Sequence, residues 1–413
     1  MHAPPRYARS RAVYDRACRS IPGAHHLSGR PLLDLDRSPL YFDWAKGCRI
    51  RDVDGNEYID YVMAYGAYAL GYAHEGVDGA AFAQAARGSL VSLNHPLHVR
   101  FIEALLERFP FAEMGVFLKT GSEATTAALR IARRATGRRA VVRCGYHGWH
   151  DWCLPDDAAV PAGLAEQVLE LRPVGAPALE QLFSEHPGAI AAVIVAPEMV
   201  RPFEPSVLAA LAETSRRRGA VFVLDEVKTA FRTAPGSLHQ RVGVTPDLLT
   251  VSKALGNGWP VAAVLGPRSV MESASGMHLS ATYHGDTASM AAALATLAIL
   301  DRDDVPAHLW QTGDRLIDGL RERARAHGVP VVAYGEPLPP MPFMQFRHED
   351  EALNASISAT FYEEVLARGV LLHPRHLWFV SQAHREPEVA RTLDACDDAF
   401  AAVRARYGGE LQR

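Results

Sequence analysis

Six short, almost wholly apolar runs limit the fold of this chain more than any other feature. They fall at 116–118, 140–142, 191–195, 221–224, 248–251 and 261–265. Most are rich in valine and lack the alternation of a strand with one wet face, so they read as strands buried on both faces. Helical periodicity fills the gaps, over 123–135, 206–218 and 288–300. Such strand–helix alternation predicts an α/β fold with a mostly parallel sheet. Ligands in these sheets sit beyond the carboxyl ends of the strands. The residues that follow each run are therefore the place to look for chemistry.

The flanks follow another pattern. Residues 41–61, YFDWAKGCRIRDVDGNEYIDY, alternate around Asp54-Gly55 and predict a hairpin. From about 306 onward the chain reads as α+β. Helices are expected over 308–327, 357–368 and 386–407, with strand-like VPVVAYG, FMQFRH, GVLLHP and LWFVSQAH between them. The expected division is 1–60, a large domain at 61–303, and a smaller C-terminal domain at 304–413.

Charge and composition exclude several classes. A net charge of -4 gives no general attraction to nucleic acid or an anionic membrane surface. There is no signal-peptide core and no apolar run of the ~18 residues that span a bilayer. A cytoplasmic protein without a membrane or nucleic-acid partner is expected. The five cysteines form no CxxC, which argues against a disulfide framework or a cysteine zinc site. Lysine occurs only at 46, 119, 228 and 253, so a lysine nucleophile has four possible positions.

Four strand-end features stand out. Asp225 follows the apolar run of VFVLDEVKTAFR, where a carboxylate has lost solvation and needs partners; it also suits a helix cap or an arginine pair. Lys253 ends the run in LLTVSKALGNG, where a desolvated amine becomes a nucleophile toward carbonyls; it also suits a lysine snorkelling at the sheet rim. Thr120-Gly121-Ser122 leads from a strand into a helix, a place suited to phosphate and equally to simple N-capping with Glu123. Tyr146, in CGYHGWHDW, is flanked by glycine and histidine and suits either stacking on a planar ring or a surface aromatic cluster. His147 and His150 invite a metal, but no third ligand stands at a recognisable spacing. An amine for an aldehyde, an acid for a ring nitrogen, a phosphate cradle and a stacking aromatic together describe pyridoxal 5'-phosphate (PLP).

TGSEATTAALRIAR, GYHGW, LDEVKTAFR and VSKALGNG stand in the order and spacing of a known family. The chain resembles class III aminotransferases, PLP enzymes of fold type I, and within them the glutamate-1-semialdehyde 2,1-aminomutase branch. The resemblance spans nearly the whole chain. It implies a large domain with a mostly parallel seven-stranded sheet and a small α+β domain built from both chain ends. Lys253 would bond the cofactor aldehyde and later shuttle a proton. Asp225 would hold the ring nitrogen protonated. Val227 and Tyr146 would cover the ring faces, with His147 beside the cofactor. Thr120, Gly121 and Ser122 would hold the phosphate. Thr282 would reach it from the second subunit of a homodimer. Arg30 would bind the substrate carboxylate.

Departures from the branch concern the substrate. Asp286-Thr287, preceded by His284, replaces an Asn-Pro. Ala196 replaces an acidic residue, with Glu198 two positions on. Tyr65 replaces a tryptophan, and His376 and Trp378 replace smaller or acidic residues. Tyr65, Glu198, His284 and His376 therefore become the expected substrate contacts, together with Arg30. The resulting expectation is an aminotransferase with glutamate as donor and a polar, hydroxylated carbonyl compound as acceptor. An aminomutase and a racemase or epimerase are the alternatives.

Overall fold

The computed structural model describes residues 6–24, 40–154, 159–199, 204–335 and 338–411. The chain divides into two compact units. One comprises Met1–Gly66, Leu70–His74 and His308–Arg413; the other comprises Ala67–Ala69 and Glu75–Ala307.

In the first unit, β1 (Phe42–Lys46), β2 (Arg49–Asp52) and β3 (Glu57–Asp60) form an antiparallel meander. The turn at Asp54-Gly55 joins β2 to β3, and Gly55 takes a left-handed φ of 94°. The second unit supplies β4 (Met114–Leu118), β5 (Ala140–Cys144), β6 (Val168–Glu170), β7 (Ile190–Val195), β8 (Val221–Asp225), β9 (Leu248–Val251) and β10 (Ala262–Gly266). The C-terminal part of the first unit adds β11 (Val331–Tyr334), β12 (Phe343–Phe346) and β13 (Val370–Leu371).

The seven strands of the second unit lie in the order β4-β10-β9-β8-β7-β5-β6. Only β10 runs against its neighbours. β7, β8, β9 and β10 are buried along their whole length, as strands covered on both faces must be. The helix Gly121–Thr136 covers one face, packing Ala124, Ala128, Ile131 and Ala132 over Val141, Ala192, Ile194, Val223 and Val264. β6 has no counterpart among the six apolar runs. Its sequence, VLE, is too short and too polar at its end to register as a buried strand.

One expected strand is absent. LWFVSQAH has extended, buried segments but belongs to no sheet. Trp378 and Val380 donate their N–H groups to the carbonyls of Pro342 and Pro340, 2.8 and 3.1 Å away, and Phe379 donates to Tyr61 at 2.7 Å. A proline accepts but has no N–H to return, so no ladder propagates. The helix expected over 357–368 begins earlier, at Glu351, because Asp350 caps it by accepting from Ala352 and Leu353.

The turn after β8 is held by a buried carboxylate. Glu226 is fully buried and accepts from the amides of Leu238 (2.6 Å) and His239 (2.8 Å) and from Thr229 Oγ1 (2.8 Å). Glu226→Ala would strand two buried amide donors, each costing roughly 1–3 kcal/mol. Denaturant unfolding should show a loss of about 2–4 kcal/mol for Glu226→Ala and a smaller loss for Glu226→Gln, whose amide oxygen still accepts. Equal stability of Glu226→Ala and the parent would show that this carboxylate does not hold the turn.

Candidate active site

Strand direction alone brings the predicted residues to one edge. β5, β7, β8 and β9 are mutually parallel, and β4 shares their direction because both it and β9 oppose β10. The loops that follow them, at 119–122, 145–148, 196–198, 226–228 and 252–258, therefore leave the same edge of the sheet. No loop needs to travel to bring Ser122, Tyr146, Glu198, Asp225 and Lys253 to that edge.

Asp225, at the end of β8, is almost fully buried. Its Oδ1 accepts from the Val227 amide and from Thr250 Oγ1 of the neighbouring strand, both at 3.1 Å. Its Oδ2 lies 2.7 Å from His147 Nδ1. A carboxylate only accepts, so the imidazole proton sits on Nδ1. Three donors stabilise the anion where water does not reach it.

His147 is itself fixed. Its carbonyl accepts from Thr125 Oγ1 at 2.7 Å, and its ring stacks on Trp152 with centroids 5.9 Å apart and planes 18° from parallel. Trp152 Nε1 donates to Thr126 Oγ1 at 2.8 Å, and that hydroxyl lies 2.7 Å from His150 Nδ1. Both histidines of GYHGWHDW thus pin their loop to the helix Gly121–Thr136. The Nε2 of His147 remains buried without a hydrogen-bond partner among the described residues.

Lys253 follows β9 with a left-handed φ of 48°, a conformation that a side chain bears at a cost. Burial drives its amine down to a pKa of about 7; the Lys228 ammonium and Arg232 push the same way, while Glu198 and Asp225 oppose them. Lys228 behaves in the opposite sense. Burial works against its charge, but Glu198 and Asp225 outweigh burial and raise its pKa. Its Nζ lies 2.9 Å from Glu198 Oε1, with both side chains buried, and 5.6 Å from the centre of the Tyr146 ring. One edge therefore carries an amine that is substantially neutral at pH 7 and a second that stays charged. The other carboxylate oxygen of Glu198, Oε2, is buried and has no hydrogen-bond partner among the described residues.

The helix start at 120–122 has the form of an anion cradle. Thr120 caps the helix by accepting from the Glu123 amide, and the Glu123 side chain accepts in return from the Thr120 amide. The amides of Gly121 and Ser122 have no partners within the helix. A Cβ on Gly121 would lie 2.8 Å from Val227 Cγ1, and one on Gly148 would collide with Ser122 Oγ. Both glycines let these loops pack closely against Val227 and Ser122. A neutral amine, a fixed buried carboxylate, a cradle of amides and a half-exposed aromatic, Tyr146 at 54%, form a donor set that fits PLP.

Thr282 is exposed on the approach to the helix Thr287–Arg302. His284 Nε2 is 3.5 Å from Glu123 Oε1. Tyr65 and His376 belong to the first unit, with rings edge-on and centroids 5.2 Å apart. Arg30 lies outside the described residues. All five cysteines are free thiols, and only Cys18 is exposed. Sequence reasoning assigned no role to Lys228 or Thr250. Both carried a signal: Lys228 is one of four lysines and follows Asp225 by three positions, and Thr250 is the only hydroxyl inside the run LLTV.

The class-III aminotransferase family model matches residues 35–372. The 3-aminobutyryl-CoA aminotransferase of Cloacimonas acidaminovorans is 31% identical over 407 residues, covering 96% of this chain and 98% of the relative. The glutamate-1-semialdehyde 2,1-aminomutase of Chloroflexus aggregans is 34% identical over 434 residues, covering 96% and 99%. The 2'-deamino-2'-hydroxyneamine transaminase of Streptomyces kanamyceticus is 35% identical over 349 residues, covering 84% and 88%. Among solved structures, the FumI protein of Sphingopyxis sp. MTA144, in its PLP internal aldimine form, superposes with a TM-score of 0.91 at 30% identity, covering 98% of each chain. With its site geometry in place beside these matches, the chain belongs to the class-III aminotransferases, PLP-dependent enzymes of fold type I.

Proposed function

We propose that this aminotransferase moves an amino group from an amino-acid donor, preferentially glutamate, to a ketone or aldehyde on a polar, hydroxylated small molecule. The observation that carries the acceptor class is Glu198 Oε2, a buried acceptor without a partner among the described residues and beside a charged lysine. An apolar substrate would leave that oxygen stranded, at a cost of roughly 1–3 kcal/mol. A substrate hydroxyl would satisfy it. The relative from Streptomyces kanamyceticus, a transaminase of a neamine-type compound, supports the same class.

In this reading PLP, when bound, supplies the electron sink that makes a substrate Cα–H acidic. The protein supplies the rest. Lys253 would hold the cofactor aldehyde, and its amine, neutral near pH 7, would serve as the proton carrier beside it. Asp225 would hold the ring nitrogen, and the hydrogen bonds from Val227, Thr250 and His147 fix the carboxylate in place for it. Thr120, Gly121 and Ser122 would bind the phosphate through the helix start. Tyr146 and Val227 would cover the ring. Arg30 takes the donor carboxylate, and Tyr65, His284 and His376 complete the substrate contacts.

A homodimer belongs to this proposal. Phe82, Leu90, Val91, Leu93, Val99 and Tyr283 are exposed. Their segments are tied together, since the Thr287 amide donates to Ser89 at 2.8 Å and His98 Nε2 lies 3.0 Å from the Gly285 carbonyl. So much exposed apolar surface suits contact with a second copy, and Thr282 lies beside it in sequence. The aminomutase reading draws on the 34% identity to that enzyme.

Half-reactions separate these readings. L-glutamate should convert the PLP form to the pyridoxamine form with release of 2-oxoglutarate, and a hydroxylated ketone or aldehyde should reverse the change. Turnover of one substrate with no external donor would favour the mutase. Exchange of the Cα proton with no keto acid formed would favour a racemase.

Covalent loading of apo-protein with PLP, trapped by borohydride and located by peptide mass, should map to Lys253. Its rate should rise with pH up to about 7, where the amine loses its proton, and level off above. Removing the neighbouring positive charge in Lys228→Met should move that midpoint to higher pH. An unchanged midpoint would remove Lys228 from the account. Lys253→Ala should lose turnover by about 10²-fold or more while still holding PLP non-covalently; normal turnover would sink the assignment.

A further inference from the structure

The far end of the helix Gly121–Thr136 carries a second feature that transamination does not use. Five arginines, at 130, 133, 134, 138 and 139, fall within the ten residues RIARRATGRR of a chain whose net charge is -4. With Gly137 and Met277 they line a hollow of about 410 Å³. No carboxylate lines it. Among the described residues, none of the five arginines forms an ion pair, although many other arginines do.

Part of the cluster is structural. Arg133 Nε donates to the Arg139 carbonyl at 2.8 Å, and Arg138 Nη1 donates to the carbonyls of Ile190 and Arg218 at 3.1 and 2.9 Å. These contacts fix two guanidinium groups in place. They do not neutralise them. Arg133 Nη2 is buried with no hydrogen-bond partner among the described residues, and burial lowers the pKa of that guanidinium. Arg130, Arg134 and Arg139 are exposed around it. A concentrated positive charge with a buried unsatisfied donor calls for an anion of several charges rather than one. Guanidinium groups match phosphate oxygens bidentately.

We propose that this hollow binds a small molecule carrying two or more linked phosphate groups. The site is separate from the cofactor cradle. The cradle is at the first turn of the helix Gly121–Thr136 and the arginines begin at Arg130, roughly 14 Å further along the axis at 1.5 Å per residue.

The test is calorimetric titration of PLP-saturated enzyme with inorganic pyrophosphate and tripolyphosphate at low salt, with the cofactor absorbance followed in parallel. Saturable binding at one site per chain is expected, with the PLP spectrum unchanged. R130E/R134E, both exposed positions, should weaken that binding by about tenfold or more and leave PLP content and turnover unchanged. Should that variant fail to fold, R133K keeps the charge but loses the bidentate geometry, and should also weaken binding. Citrate, a polyanion without phosphate, should bind at least about tenfold more weakly than tripolyphosphate. No saturable binding at millimolar concentration would overturn the proposal. So would equal binding by parent and variants, loss of PLP during the titration, or citrate binding as tightly as tripolyphosphate.

Discussion

Two opposite ionisable groups, Asp225 and Lys253, share one desolvated edge of the central sheet, and the structure treats them differently. Asp225 receives three hydrogen bonds inside the protein. Lys253 sits among the positive charges of Lys228 and Arg232 and is pushed toward the neutral amine. Burial alone would neutralise both groups. Asp225 has three hydrogen-bond donors in place of water, whereas burial, with Lys228 and Arg232 beside it, drives the Lys253 amine toward its neutral form. A hydrogen-bonded carboxylate and a neutral amine are the pair that PLP chemistry requires.

The rest of the large unit serves that asymmetry. Parallel pairing of β8 with β9 sets Thr250 opposite Asp225. The helix Gly121–Thr136 holds the loop of His147 through Thr125 and Thr126. Glu226, one residue beyond Asp225, ties the outgoing turn to the start of the helix Leu238–Val242. Glu198 keeps Lys228 charged and next to Tyr146. These partners lie on different strand ends, so the site depends on the sheet as a whole.

Much of this was legible in the sequence, for physical reasons. A strand buried on both faces must be apolar throughout, so the central strands announce themselves as valine-rich runs. A charged residue at the end of such a run has no solvent to excuse it, which singles out Asp225 and Lys253. Polar partners inside the runs were harder to see. Thr250 reads as a β-branched filler until its register with Asp225 is known. Lys228 stands in plain view in LDEVKTAFR, but its role depends on Glu198, thirty positions earlier in sequence and joined to it only by sheet order. LWFVSQAH was misread because its pattern fits a strand, and nothing local reveals that its neighbours are prolines from 340 and 342.

The protonation state of Lys253 in the unloaded protein is the most direct test of this account. Lysine-selective ¹⁵N labelling, simplified by there being four lysines, would let each side-chain amine be titrated by NMR, with Lys253→Ala identifying the signal. The account predicts that Lys253 titrates near pH 7 while Lys228 remains charged well above it. A Lys253 amine that titrates near 10, as a solvent-exposed lysine does, would contradict it.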